Sequence, residues 1–347
     1  MDFADGFVVH RLSKQNFLNV IDFLIDWEKI ASLLNQHENR LFSDYKGISL
    51  FKALLIQTFY DLSDRKLEDH LNDSISANHF CGFSLGDKIP DHSTLSRFRN
   101  HLNEAKLWDS LLDMVNSQIE NRGLLMKQGV IIDATLVEQP RKPRKALGFE
   151  PAVDRKEDER SNENIEQEVK YQEWVKIDEK GADPEAAWLK KGKKTIYGFK
   201  GHTLTEENGL VLGIVTTKAS IHDVHGLEPL LTKLLPQKGT RLKADKGYFG
   251  KPLGEILKQF GLVDRRMFKA TRNNPLNERQ KRINRLISKG RFVIERSFGG
   301  MKLWFSLQKA RYQGLVKMHG QFMMNAIAYN LKRLPNLYIK QKLSFTG

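Results

Sequence analysis

Three acids in this sequence occupy settings where chemistry could explain them. Asp133 sits inside the apolar run Val130-Ile131-Ile132-Asp133-Ala134. Asp245 stands just before Lys246-Gly247. Glu295, flanked by Val293, Ile294 and Phe298, is the sole Asp or Glu from Arg279 to Gly347. Carboxylates that converge can hold hard divalent cations, because Mg²⁺ prefers oxygen ligands and leaves positions for substrate phosphate oxygens. Two such ions activate a nucleophile and stabilise the leaving oxygen of an in-line phosphoryl transfer. Each acid also has an ordinary reading. A buried Asp133 needs a salt bridge or backbone N–H partners. Asp245 fits a turn ahead of glycine. Glu295 could pair with Arg291 one helical turn earlier.

The charge distribution favours the chemical reading. Net charge is +14, and residues 271–347 hold 16 Lys and Arg against 2 Asp and Glu, so the excess lies in the last fifth of the chain. A segment so basic suits a polyanion, of which nucleic acid is the usual one. A solvated basic face or a lipid-facing helix are the alternatives. Arg291, Glu295 and Lys302 are spaced by 4 and 7 residues. On a helix they fall within about 40° of one another. One carboxylate between two cations could bind metal centrally and grip phosphates on either side. Trp304 is read first as a core residue, with stacking on an unpaired or flipped base as the alternative. Arg97 and Arg99, on a helix capped by Asp91 or Ser93, could touch phosphates or belong to one more bundle helix. The candidate DNA contacts are therefore Arg291, Lys302, Trp304, Arg97 and Arg99.

The elements that must position these residues follow from periodicity. Residues 1–125 read as helical: Phe17, Val20, Ile21 and Leu24 mark one apolar face, and Leu50, Phe51, Leu54, Leu55 and Leu62 another. Leu107, Leu111, Leu112, Val115 and Ile119 mark a third, with Gly123 as its C-cap. At Gly129 the period changes, and residues 129–137 read as a buried β-branched strand. Residues 139–195 are about half charged and read as an insertion, flexible at least in part. Two β-rich runs then flank Asn208-Gly209, a strong hairpin signal. A helix over 222–235, a strand over 240–250, a helix from Gly250, a strand over 262–270 and a long basic helix over about 276–335 complete the order. That is the order of a ribonuclease H-like fold, α/β with a mixed five-stranded sheet and flanking helices, here preceded by an all-helical domain. Residues 1–125 form the helical domain and 126–340 the catalytic one, with the charged insertion at about 139–195.

Composition narrows the class. At 347 residues and 40.0 kDa the chain can bury a full core. No run of 18 apolar residues is present, so no membrane partner is expected. The start, MDFADGFVVHRLSKQ, is too polar and acidic for a signal peptide. A single cysteine, Cys81, excludes an intrachain disulfide and a cysteine zinc cluster. An intracellular protein is expected. His222 and His225 flank Asp223 at a spacing compatible with zinc, but no soft ligand is nearby, and Asp223 is read as the N-cap of the next helix. Tyr197, Lys200 and His202 lie on a strand beside the first one, with His202 read as a hydrogen-bonded structural histidine. Tyr248 is left open between packing under the Asp245 turn and touching DNA.

In order along the chain, PDHSTLSRFR (90–99), IIDATLVEQP (131–140), DPEAAWLKKGKKTIYGFKGH (183–202), HDVHGLEPLL (222–231), ADKGYFG (244–250) and VIERSFGGMKLWF (293–305) resemble the bacterial insertion-sequence DDE transposases, most of all the "insertion sequence five" group. The likeness covers nearly the whole chain. It implies catalytic aspartates at Asp133 and Asp245 and a catalytic glutamate at Glu295, with Asp133 shared by two Mg²⁺ or Mn²⁺ ions and Asp245 and Glu295 holding one each. The family's tyrosine–arginine–glutamate–lysine helix pattern is met by Arg291, Glu295 and Lys302, but Ser288 stands where the tyrosine would be. The resemblance implies cleavage at the ends of a mobile DNA element, its terminal inverted repeats, and joining of the 3′-hydroxyls to target DNA. It also implies a homo-oligomer on double-stranded DNA in the bacterial cytoplasm, associated with the nucleoid. A catalytically silent or domesticated DNA-binding relative of the same fold is the alternative.

Overall fold

A computed structural model describes residues 16–37, 44–84, 86–125, 129–151, 171–178, 181–272 and 274–345. The reading of residues 1–15 as too polar for a leader, and of 152–170 as the acidic middle of the insertion, falls outside these residues. The N-terminal part is helical: α1 (Phe17–Leu24), α2 (Trp27–Asn35), α3 (Gly47–Phe59), α4 (Asp64–Asp73), α5 (Ile75–Cys81), α6 (His92–Glu104) and α7 (Trp108–Asn121). Their starts are written in the sequence. The side chains of Asn16, Asp26, Ser63, Ser74 and Asp91 each accept a hydrogen bond from a first-turn backbone N–H, satisfying donors that a helix leaves open. At the far end of α7, Gly123 takes a φ of +69°, and Leu124 N–H closes back on Ile119 O at 3.1 Å, the expected glycine stop. Leu62 lies beyond α3, which ends in a left-handed turn at Asp61 (φ 54°).

The sheet is built from β1 (Gly129–Glu138), β4 (Ala187–Lys191), β5 (Lys194–Glu206), β6 (Val211–Lys218), β7 (Arg241–Ala244) and β8 (Val263–Arg266), while β2 (Arg144–Pro151) and β3 (Tyr171–Asp178) form a separate antiparallel ribbon. β5 is antiparallel to β1 and to β6, β7 is parallel to β1, and β8 is parallel to β7. Gly209, at φ +88°, turns the β5–β6 hairpin. The sheet thus has six strands among the described residues, not five. The extra one, β4, pairs with the start of β5 (Ala187 with Gly198, Lys191 with Lys194), end to end with β6 on the same edge.

The charged stretch, read as an insertion over about 139–195, supplies β2, β3 and β4 among its described residues. Asp183, 1 % exposed, explains why this part is ordered. Its carboxylate accepts from Gln139 Nε2 at 2.8 Å and from Gly314 N–H at 2.8 Å. Its carbonyl accepts from the Tyr197 hydroxyl at 2.5 Å. Three distant parts of the chain therefore close on one buried aspartate.

Alternation along β1 divides the core. Ile131 and Val137 join a large cluster with the N-terminal helices, while Val130 and Ile132 join a second with α8 (Leu227–Leu234) and α9 (Lys251–Gln259). Period two puts Asp133 on the Ile131 side. That side is covered by α10 (Glu278–Phe305) and α11 (Leu315–Phe345), two helices rather than one continuous helix. Ser306 takes a left-handed φ of 51° and ends α10, and Gly314, φ +86°, precedes α11. Helix α11 packs on β5 and β6 and on the N-terminal helices alike. A Cβ on Gly201 would stand 2.5 Å from the Phe322 ring, so a glycine is required where α11 meets β5. No helix among the described residues is long and apolar enough to cross a membrane.

Arg99 belongs to this framework. It is buried, donating to Asp64 Oδ1 at 2.6 Å and Gln57 Oε1 at 3.0 Å, with its guanidinium 4.9 Å over the Tyr312 ring. Its role is to join α4 and α6 to the α10–α11 connection, and it is not free to meet phosphate.

The Asp91 cap gives a pH test. Its bonds to Thr94 hold its carboxyl at about 2, down from 3.8. A depressed acid contributes stability that is complete above the unfolded value and lost as pH falls through the folded one. Asp91→Ala is therefore expected to cost about 1 kcal/mol at neutral pH. Thermal unfolding of both proteins should show this gap narrowing from pH 4 toward pH 2; a gap that does not change over that range would refute the assignment.

Candidate active site

The sheet register assembles the first two acids. Parallel pairing matches Gly129 with Arg241 and Ile131 with Lys243. The same offset sets Asp133 beside Asp245, just past the last paired positions, on strands roughly 5 Å apart. Asp245 is held by its own turn. Its Oδ1 accepts from Gly247 N–H at 2.7 Å, capping the 3₁₀ turn Lys246–Tyr248. A Cβ on Gly247 would lie 2.9 Å from that oxygen, so the glycine lets the carboxylate fold back.

Asp133 is mostly buried and has two partners. Oδ1 accepts from Ala134 N–H at 2.8 Å, and Oδ2 accepts from Arg291 Nη2 at 2.7 Å. The two side chains are 18 % and 15 % exposed. Burial pushes the Asp133 carboxyl above its usual range, Asp245 adds to the push, and Arg291 offsets part of it. Two neighbouring carboxylates in a dry setting repel, and Arg291 is the cation that compensates them. The guanidinium is itself incompletely satisfied, because its Nε is buried with no acceptor.

Glu295 stands one turn past Arg291, exposed and with no partner among the described residues. The alternative reading of Glu295, an ion pair with Arg291, is not met: the guanidinium reaches across to Asp133 on the sheet rather than along its own helix. Among the described residues no three of His, Cys, Asp and Glu stand close enough to hold a metal ion. The structure brings Asp133 and Asp245 together and leaves Glu295 apart on α10. The donor set still suits a hard divalent cation, being all carboxylate oxygen beside an arginine that already stands in for positive charge.

The other expected residues divide. Lys302 is half-buried on α10, and burial together with Lys191 of β4 pushes its ammonium below its usual value. It makes no ion pair with an acid among the described residues. Trp304 is 40 % exposed rather than a core residue. One face stacks on Tyr329 at 6.0 Å, and the Lys332 ammonium lies 5.1 Å from its ring centre. Arg97 is exposed, with Nη2 donating to Thr94 Oγ1 at 3.0 Å.

Behind the acids lies a cluster that sequence reasoning only partly saw. Asp223 is not an N-cap; the His222 ring accepts from Val224 N–H instead. Asp223 pairs with buried Lys200 at 2.7 Å, and Lys200 also donates to Ile221 O at 2.5 Å. His202 is buried, with Nε2 against Thr217 Oγ1 at 2.9 Å and Nδ1 without a partner. Burial, with help from Lys200, lowers it to about 4, so it is neutral. Gly226 is needed because a Cβ there would lie 2.2 Å from the His202 ring. The glycine in HDVHG was the available signal for this contact.

A family model described as "Transposase domain (DUF772)" matches residues 8–101, and one described as "Transposase DDE domain" matches residues 125–331. The transposase for insertion sequence element IS1106 of Neisseria meningitidis serogroup B is 32 % identical over 251 residues, covering 69 % of this chain and 77 % of that protein. A solved pre-cleavage Mos1 transpososome aligns over 87 % of this chain and 80 % of that chain at 10 % identity with a TM-score of 0.22. A Mos1 paired-end complex with the left transposon end aligns over 86 % and 79 % at 13 % identity with a TM-score of 0.21.

The Arg291–Asp133 pair makes a direct prediction. Removing one partner of a buried pair leaves the other uncompensated, so Arg291→Ala is expected to cost about 3 kcal/mol. Adding Asp133→Asn to that variant should return a large part of the loss. Denaturant unfolding of the four proteins checks this, and strictly additive effects would contradict the pairing.

Proposed function

The chain belongs to the DDE transposase family, and from that premise we propose that its phosphoryl-transfer site is built on Asp133, Asp245 and Glu295. As a transposase it cleaves phosphodiester bonds at the ends of its mobile element and joins the freed 3′-hydroxyls to target DNA. The observation that carries the site assignment is the β1–β7 register, which sets two carboxylates side by side at the ends of parallel strands. The strand order β6-β5-β1-β7-β8, antiparallel then parallel about β1, supports reading residues 126–340 as ribonuclease H-like, with β4 as an added edge strand. Residues 1–125 would serve end recognition and assembly of a homo-oligomer that pairs two element ends in the bacterial cytoplasm, at the nucleoid.

Divalent-metal dependence comes with the family. The finer reading is Mg²⁺ or Mn²⁺ held as two ions, with Asp133 shared and Asp245 and Glu295 each holding one. When bound, such ions lower the pKa of an attacking water or 3′-hydroxyl and neutralise charge on the phosphate. The chain's own residues do the rest. Arg291 must leave Asp133 Oδ2 before that oxygen can serve a cation, and its guanidinium then becomes available to a DNA phosphate. Lys302 and Lys191 form a second cationic contact for the backbone, and a phosphate there would relieve their mutual repulsion. Exposed Arg97, and Trp304 through its open edge, are outer contacts. In cleavage, water attacks phosphorus and the 3′-oxygen leaves as a hydroxyl; in joining, that hydroxyl attacks a target phosphodiester and a target 3′-oxygen leaves.

Asp133→Asn, Asp245→Asn and Glu295→Gln should each abolish cleavage of labelled element-end DNA while leaving its binding intact. Loss of binding in all three would instead mark these acids as structural. Lys302→Ala should weaken DNA binding across sequences and reduce the slope of log affinity against log salt by about 1. An unchanged slope would remove Lys302 from the contacts.

A further inference from the structure

Tyr248 is placed where folding alone does not account for its hydroxyl. The ring lies in the apolar cluster of Ile132, Leu242 and Ala244, fully buried. Its backbone is well tied: Tyr248 N–H meets Asp245 O at 3.2 Å, and Tyr248 O accepts from Arg266 Nη1 at 2.7 Å. The hydroxyl has no hydrogen-bond partner. Phenylalanine would fill the same space without a stranded polar group, and a stranded group is unfavourable in the folded state.

The surroundings of that hydroxyl are charged. Burial raises the phenol well above its usual value, and Asp223, Asp133 and Asp245 push it the same way, with Arg291 opposing. It therefore stays protonated and carries one proton to donate. Asp133 already uses both oxygens, on Ala134 and Arg291, and Asp223 is committed to the buried Lys200 ammonium. Asp245 uses Oδ1 on Gly247, and its other oxygen accepts no hydrogen bond among the described residues. Asp245 caps the 3₁₀ turn whose last residue is Tyr248, so one short turn carries both side chains.

We propose, resting on the reading of Asp133 and Asp245 as a cation site, that Tyr248 is a positioning residue whose hydroxyl donates to Asp245 when the cation is held. Carboxylates that bind metals are oriented by outer hydrogen bonds of this kind. The phenol fixes how the Asp245 carboxylate turns, Gly247 holds its near oxygen, and the apolar cluster holds the ring still.

The test uses Tyr248→Phe in the full-length protein, with Asp245→Asn beside it. Thermal unfolding is measured without metal, Mn²⁺ affinity by calorimetry, and cleavage on end DNA. Tyr248→Phe is expected to melt at or above the wild-type temperature, yet to bind Mn²⁺ and cleave roughly 10–100-fold less well. Mn²⁺ affinity within about twofold of wild type in Tyr248→Phe, with affinity lost in Asp245→Asn, would overturn this inference alone, given the size of effect such outer bonds have. A lower melting temperature would make the hydroxyl structural and overturn it as well. Wild-type affinity in Asp245→Asn would overturn the cation assignment itself, and this inference with it.

Discussion

The Arg291–Asp133 contact is the interaction on which the catalytic half depends. Parallel pairing forces Asp133 and Asp245 into proximity, and burial removes the water that would screen them. Some positive charge must be supplied, and in the free protein α10 supplies it. The same helix is tied to the sheet on either side of that contact. On its N-terminal side, Asn284 Nδ2 donates to Phe268 O at 3.0 Å and Asn284 Oδ1 accepts from Phe268 N–H at 2.8 Å, just past β8. Ser297 donates to Gly209 O at 2.7 Å, and Arg296 donates to Asn208 O at 3.0 Å. The helix that carries Glu295 is thus located by an ion pair to the first aspartate strand and by hydrogen bonds to the hairpin turn. Exchange of one cation for another at Asp133 would loosen one tie and leave the others, a local change rather than a refolding.

The rest of the structure serves that arrangement. Helix α11 packs against β5 and β6 on one side and the N-terminal helices on the other. The Arg99–Asp64–Tyr312 cluster fastens those helices to the α10–α11 connection. The N-terminal helices are therefore held in a fixed relation to the strands that carry Asp133 and Asp245.

Much of this was legible in the sequence, and what was missed has a common cause. β1, the Asn208-Gly209 hairpin and the capped helices are local signals, and local spacing encodes them. The site aspartates could be singled out because an acid in an apolar strand and an acid before glycine are unusual residue by residue. Pairings between elements were not legible. Helix spacing suggested Arg291 with Glu295, yet the guanidinium turned to a strand 158 residues away in sequence. Asp223 looked like a cap and proved to neutralise buried Lys200. Arg99 looked free and proved to be packed between two helices and a loop. The charged stretch looked irregular because its order comes from Asp183, whose partners at Gln139 and Gly314 are remote. The break between α10 and α11 depends on a left-handed Ser306, a conformation that serine does not advertise.

One measurement would test the central claim most directly: a crystal structure of the full-length protein with element-end DNA and Mn²⁺, with the metal located by anomalous scattering. Mn²⁺ is expected beside Asp133 and Asp245, with Arg291 withdrawn from Asp133 and set against a DNA phosphate. Arg291 still bonded to Asp133, with Mn²⁺ bound elsewhere or not at all, would contradict it.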